Sequence, residues 1–209
     1  PEGNLNIGIM ETLCSSEYTD LFYTFQEKYP KISLRLEVVT TLKAMEDLDK
    51  GIFDVIFLLD KTIIRPNWKT ARTFPSDISF FCARSHPLAG QKNVSLERLL
   101  QERFILTEKG CNYRQVFEND LATAGLHLEC AMEIGHTSYI INAVSRLLGI
   151  GLLPVFTLKD ALSRGEISLI DVDSYQIQLA IQVIYNTQRR ISLPLQVFLS
   201  ELGHSCFPE

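Results

Sequence analysis

Residues 32–60 (ISLRLEVVTTLKAMEDLDKGIFDVIFLLD) read as one strand–helix–strand unit, and no other stretch restricts the possible folds as tightly. Leu34, Leu36 and Val38 alternate with Arg35 and Glu37, the period of a strand. Thr40 and Thr41 follow, with side-chain oxygens suited to capping a helix. Leu42, Met45 and Leu48 then recur at helical spacing, and Gly51 stands where a helix would stop in a left-handed turn. Residues 52–59 form a near-continuous apolar run, which predicts a strand covered on both faces of a parallel sheet. A right-handed crossover between two such strands puts the loop before the helix at the strands' carboxyl ends, where open α/β sheets bind ligands. Thr40 and Thr41 therefore mark a first candidate binding edge.

The chain opens on the same pattern. Leu5, Ile7 and Ile9 predict a strand in which Gly8 permits close approach by a neighbour. Ser15 or Ser16 is placed to cap a helix over 16–29, whose stripe is Tyr18, Leu21, Phe22, Phe25 and Tyr29 and which Pro30 ends. Thr12 then falls at the same sheet edge as Thr41, and the order of elements is that of a doubly wound α/β sheet. Pattern weakens over 61–77, where Pro66 and Pro75 are expected to break helix and sheet alike. Beyond it, apolar runs predict strands at 78–83, 103–107, 128–134, 150–153, 167–170 and 179–185. Helical spacing predicts helices at 95–100, 111–125, after Gly135-His136-Thr137, around Leu158 and Leu162, and from Ser192 onward. Two strand–helix clusters parted by a proline-containing break imply two α/β lobes enclosing a cleft.

Composition removes several function classes. With 209 residues and 46% hydrophobic content the chain can bury a core, yet it has no run of 18 apolar residues to cross a membrane. A formal charge of −5 makes it a poor nucleic-acid binder by itself. Five cysteines without paired spacing fit a reducing cytosol better than a disulfide framework. The start carries no signal-peptide pattern, and its abruptness is that of a domain cut from something longer. No phosphate-binding glycine loop, G-x-S-x-G, H-E-x-x-H or paired-carboxylate motif occurs, so no catalytic residue and no cofactor is expected. His127 and His204 lack partners at metal spacing, which assigns no metal, and Asp54 reads as a conformational residue.

Short pieces along the whole chain resemble the effector-binding domain of LysR-type transcriptional regulators. They are Gly3-Asn4-Leu5-Asn6-Ile7-Gly8, Tyr29-Pro30 with Leu34, Leu48 with Gly51 and Asp54, His86-Pro87-Leu88-Ala89, Val144, and Gly149-Ile150-Gly151-Leu152-Leu153-Pro154. The resemblance implies two lobes of the type 2 periplasmic-binding-protein fold, 1–74 with 175–209 and 75–174, each a mostly parallel sheet flanked by helices. It also implies a small-molecule effector, a homodimer contacting through the helices at 16–29 and 111–125, promoter DNA held only by an absent N-terminal winged helix, no membrane, and a cytoplasmic location. An exported solute-binding protein of a transporter is the alternative use of the same fold.

By position, the family's ligand pocket maps onto Thr12, Leu13, Thr41, Leu59, Thr107, His136 and Thr137. Several of these fall where a strand hands over to a helix start, where N–H groups and a partial positive charge favour an anion, and threonine hydroxyls add donors. The plain alternative for Thr12, Thr41 and Thr137 is capping alone. Some relatives that bind aromatic acids carry arginine at the position of Leu59, so the resemblance points here to a neutral or more apolar effector. His136 could titrate near neutrality, whereas His86 precedes a proline in a turn and reads as structural. Cys111 lies near a helix start, and peroxide-sensing relatives use a cysteine close by; no cysteine follows until Cys130, which favours an unreactive thiol.

Overall fold

The computed structural model describes residues 1–14 and 18–204. In chain order the elements begin with β1 (Gly3–Ile9), α1 (Glu11–Cys14), α2 (Tyr18–Lys28), β2 (Ile32–Val38), α3 (Thr41–Lys50), β3 (Val55–Asp60) and β4 (Trp68–Ala83). They continue with α4 (Leu96–Leu99), β5 (Phe104–Leu106), α5 (Asn112–Thr123), β6 (Cys130–Glu133), α6 (Thr137–Ser145) and β7 (Ile150–Pro154). The last are α7 (Val155–Ser163), β8 (Ile167–Ile170), β9 (Ile177–Asn186) and α8 (Leu193–His204). The chain divides into two compact units, Pro1–Pro75 with the segment from Ala180, and Ser76–Leu179.

In the first unit the strand order is β2-β1-β3-β9. β1 pairs parallel with β2 and β3, and β9 closes the set antiparallel to β3. The core strand β3 is buried along Val55–Leu59 but starts later than the apolar run 52–59, with Ile52 exposed and β9 an antiparallel neighbour. Phe22 and Phe25 of α2, Phe57 and Phe198 of α8 interlock around it, with ring centroids 5.1–6.2 Å apart. Asp54 acts conformationally: its carboxylate accepts the Asn6 backbone N–H at 2.8 Å and ties the entry of β3 to β1. Thr40 caps α3 by accepting the Lys43 N–H, and Gly51 ends it at φ 71°.

In the second unit β4, β7, β5 and β6 lie in that order, with β8 also on β4. Only β5 with β6 and β5 with β7 are parallel; β4 runs antiparallel to both β7 and β8, so this sheet is mixed rather than mostly parallel. Phe80, Phe104 and Phe117 form its aromatic core, at 4.9–6.3 Å.

Several local expectations are corrected. The loop around Thr12 is the short helix α1, and α2 ends at Lys28; the Ser15 and Ser16 capping positions lie outside the described residues. Pro75 does not break the sheet but sits inside β4, since proline lacks only an N–H and keeps a φ that extended backbone accepts. Leu36 and Val38 are exposed because β2 is an edge strand, and Leu42 points outward while Ala44, Asp47 and Leu48 face the core. The strand over 128–134 contracts to β6.

Gly8 lies against the core of the first unit: a Cβ there would lie 2.7 Å from the buried ring of Phe53. Gly8→Ala should displace that ring and lower stability by about 1–3 kcal/mol, read as a lower urea midpoint at unchanged slope.

Candidate functional site

The first unit gathers four of the candidate residues around a residue that the sequence did not single out. Met10 follows β1, and its thioether accepts the Leu59 backbone N–H at 3.2 Å and the Thr41 hydroxyl at 3.4 Å. Its carbonyl accepts the Leu13 N–H at 3.0 Å, which turns the chain into α1 and buries Thr12 and Leu13. One edge therefore holds Thr12, Leu13, Thr41 at the first turn of α3, and Leu59 near the end of β3. Methionine in a strand-to-helix turn looks like ordinary core in a sequence, so nothing there flags it. The side chain of Leu59 is fully buried, leaving its backbone as the part that reaches this edge. Beyond it, buried Gln182 on β9 accepts the Ile63 N–H and donates to the carbonyls of Asp60 and Lys61, fixing the chain as it leaves β3. Burial raises the Asp60 carboxyl above the ordinary aspartate range, against the lowering effect of the Lys61 N–H.

The second unit brings Thr107, His136 and Thr137 onto one sheet edge, because β5 and β6 run parallel and the Ile134 N–H closes onto the Leu106 carbonyl at 2.9 Å. Thr107 follows β5 directly and is 4% exposed; its Oγ1 has no hydrogen-bond partner among the described residues. His136 is the residue before α6, in extended conformation, and Thr137 is the buried first residue of the helix. The His136 imidazole does not cap the helix but meets Ser138 Oγ at 3.0 Å through Nδ1, with the Tyr139 ring edge-on at 5.4 Å.

Behind Thr107 lies a second residue that sequence reasoning missed. Arg114 of α5 is 2% exposed and donates to the Thr107 carbonyl, to Glu118 Oε1 at 2.7 Å and to Glu133 Oε2 at 2.7 Å. A buried guanidinium with three acceptors fixes the backbone of the Thr107 turn against α5 and β6. The Arg114 hydrogen bond holds the Glu133 carboxyl below its ordinary range. Cys111 precedes α5 without capping it, and burial, the largest influence on it, pushes its thiol up. His86 accepts the Leu88 N–H at Nδ1, 3.1 Å, and faces Glu102 through Nε2, which gives it a structural role. No group of three His, Cys, Asp or Glu side chains among the described residues could hold a metal ion. No helix among them is long and apolar enough to cross a membrane.

The family model of the LysR substrate binding domain matches residues 1–206. The chain belongs to the LysR substrate-binding domain family. The HTH-type transcriptional regulator YwqM of Bacillus subtilis is 28% identical over 198 residues, 94% of this chain and 67% of that protein. The chain spans about two thirds of the length of the curated relatives it matches. Its fold is similar to that of the Synechocystis PCC6803 CcmR regulatory domain in complex with 2-PG (TM-score 0.84, 24% identity, 97% of each chain). It is also similar to the effector-binding domain of QuiR in complex with shikimate (TM-score 0.78, 16% identity, 100% of each chain). The architecture is thus the periplasmic-binding-protein-like fold of LysR regulatory domains, and the family is one of binding domains rather than enzymes. An exported solute-binding protein is not favoured.

Two outcomes follow from the second edge. A carboxyl whose folded pKa lies below its unfolded value adds stability above the unfolded pKa and loses it as pH falls through the folded one. The Arg114–Glu133 contribution should therefore be present at pH 7 and vanish in the acid range below the ordinary glutamate pKa. Arg114→Ala should cost about 2 kcal/mol at pH 7 and flatten the acid limb of a stability–pH curve. The raised thiol predicts that Cys111 in the native chain is alkylated by iodoacetamide more slowly at pH 7.5 than in urea. A dimedone adduct at Cys111 after mild peroxide would contradict this.

Proposed function

We propose that this domain is the sensor of a transcriptional regulator and that it binds a small-molecule effector. In this reading Thr12, Leu13, Thr41 and Leu59 contribute from the first unit, and Thr107, His136 and Thr137 from the second. The observation that carries it is the Thr107 hydroxyl, buried and without a partner at the edge where the α6 N-terminus starts. An orphaned buried hydroxyl is costly, and a bound guest offering one hydrogen-bonding atom removes that cost. Glu108 beside Gly135 and Glu133 put carboxylates at this edge with Lys109 near Glu133, and Arg114 is already committed, which supports a guest that uses hydroxyl or amide groups. The ligands named for CcmR and QuiR, 2-PG and shikimate, support a small polar metabolite as the class.

In the same proposal the effector shifts the domain by binding one of its conformations more tightly. The response passes to promoter DNA through a separate DNA-binding segment, in a homodimer contacting through α2 and α5, in the cytoplasm. A thermal-shift screen of polar metabolites, including shikimate, tests the binding step. Thr107→Val should raise the stability of the empty domain by about 1 kcal/mol yet weaken effector binding about tenfold. Thr12→Ala and Thr41→Ala should weaken binding as well. A variant set in which the effector binds all three with wild-type affinity overturns the assignment.

A further inference from the structure

A cavity of about 620 Å3 opens in the second unit, lined only by residues of that unit and by none of the seven effector candidates. That volume suits a small organic molecule. Its floor is apolar: antiparallel pairing sets Phe80 opposite Ile170, and Ile78 and Val172 extend the surface. The wall is fixed before any guest arrives. Val94 N–H donates to the Asp171 carbonyl at 2.8 Å and Asp173 N–H to the Val94 carbonyl at 2.9 Å, which clamps Val172, while the Tyr175 hydroxyl donates to Asp120 at 2.9 Å.

Charge decides what would fit. The lining holds two carboxylates, Asp77 and Asp171, against one ammonium, Lys92. Asp77 Oδ1 accepts the Gln178 amide at 3.4 Å and Asp171 Oδ2 the Asn93 N–H at 3.3 Å; the second oxygen of each has no hydrogen-bond partner among the described residues. The part-exposed Tyr175 ring in the lining adds a π-face that attracts a cation. A carboxylate guest would meet two like charges for one lysine, whereas an ammonium meets the reverse.

We propose that this cavity is a second ligand site, separate from the effector edges, and that it takes a small primary amine with an apolar body. The ammonium is held by Asp77 and Asp171, and the body fills the rest of the cavity. The site stands whether or not the effector reading holds.

The intact chain, labelled with 15N, is titrated with 2-phenylethylamine at pH 7, alongside 2-phenylethanol and 3-phenylpropanoate. Saturable amide shifts at residues 77–80 and 170–178 are expected, with the amine about tenfold tighter than the carboxylate. Asp77→Asn and Asp171→Asn should each weaken the amine about threefold, and Lys92→Ala should tighten it, as screened, partly exposed charges allow. Lys92 is exposed, so that variant tests the sign of the effect even where an aspartate variant disturbs the fold. Equal or tighter binding of the carboxylate, shifts confined to 107–137, or no saturation by about 10 mM amine would each overturn the proposal.

Discussion

Parallel pairing of β1 with both β2 and β3 is the constraint from which the first edge follows. Strands joined in that sense must return through helices, and each helix then begins at the same end of the sheet. Thr12 and Thr41 stand close to each other for this reason, although 29 positions part them in the chain. The Met10 thioether completes the convergence by bonding both the Thr41 hydroxyl and the Leu59 N–H. Such bonds to sulfur are weak singly; their value here is that one flexible side chain can join three segments.

Legibility in the sequence followed the periodicity of each segment. Residues 32–60 carried both periods and a glycine stop, and the strand, cap and left-handed turn all appear there. What failed was the side of each element that faces water. Leu36 and Val38 alternate as a half-buried strand should, but alternation records only that two faces differ, and β2 turns out to be the edge. Pro75 misled for a related reason: its effect depends on whether a neighbour needs its N–H, which pairing decides and local sequence does not. Candidate site positions could be placed at strand ends because the fold puts all such ends on edges. The residues behind them, Met10 and Arg114, were invisible because each acts across sequence distance through a side chain whose type also serves ordinary roles.

Arg114 and Thr107 leave the second edge with a held backbone and an unsatisfied side chain. The guanidinium satisfies the Thr107 carbonyl and two glutamates, so the backbone of that turn is held from behind. The hydroxyl of the same residue has no hydrogen-bond partner among the described residues. A turn fixed in position but chemically incomplete is what preorganisation looks like at the level of one residue, because a rigid donor loses little freedom when a guest arrives.

That incompleteness bears on how a sensor responds. A ligand shifts a conformational equilibrium only by the difference in its affinity for the two states. If the Thr107 hydroxyl can reach the guest in one state and not in the other, the difference includes the hydrogen bond gained and the desolvation penalty relieved. Together these amount to about 1–3 kcal/mol, enough for a several-fold to hundredfold change in population. An edge saturated by its own side chains would bind the same guest with no such asymmetry. In the proposed reading the unsatisfied hydroxyl, a defect by the standards of a stable core, is what would let occupancy register as a change of state.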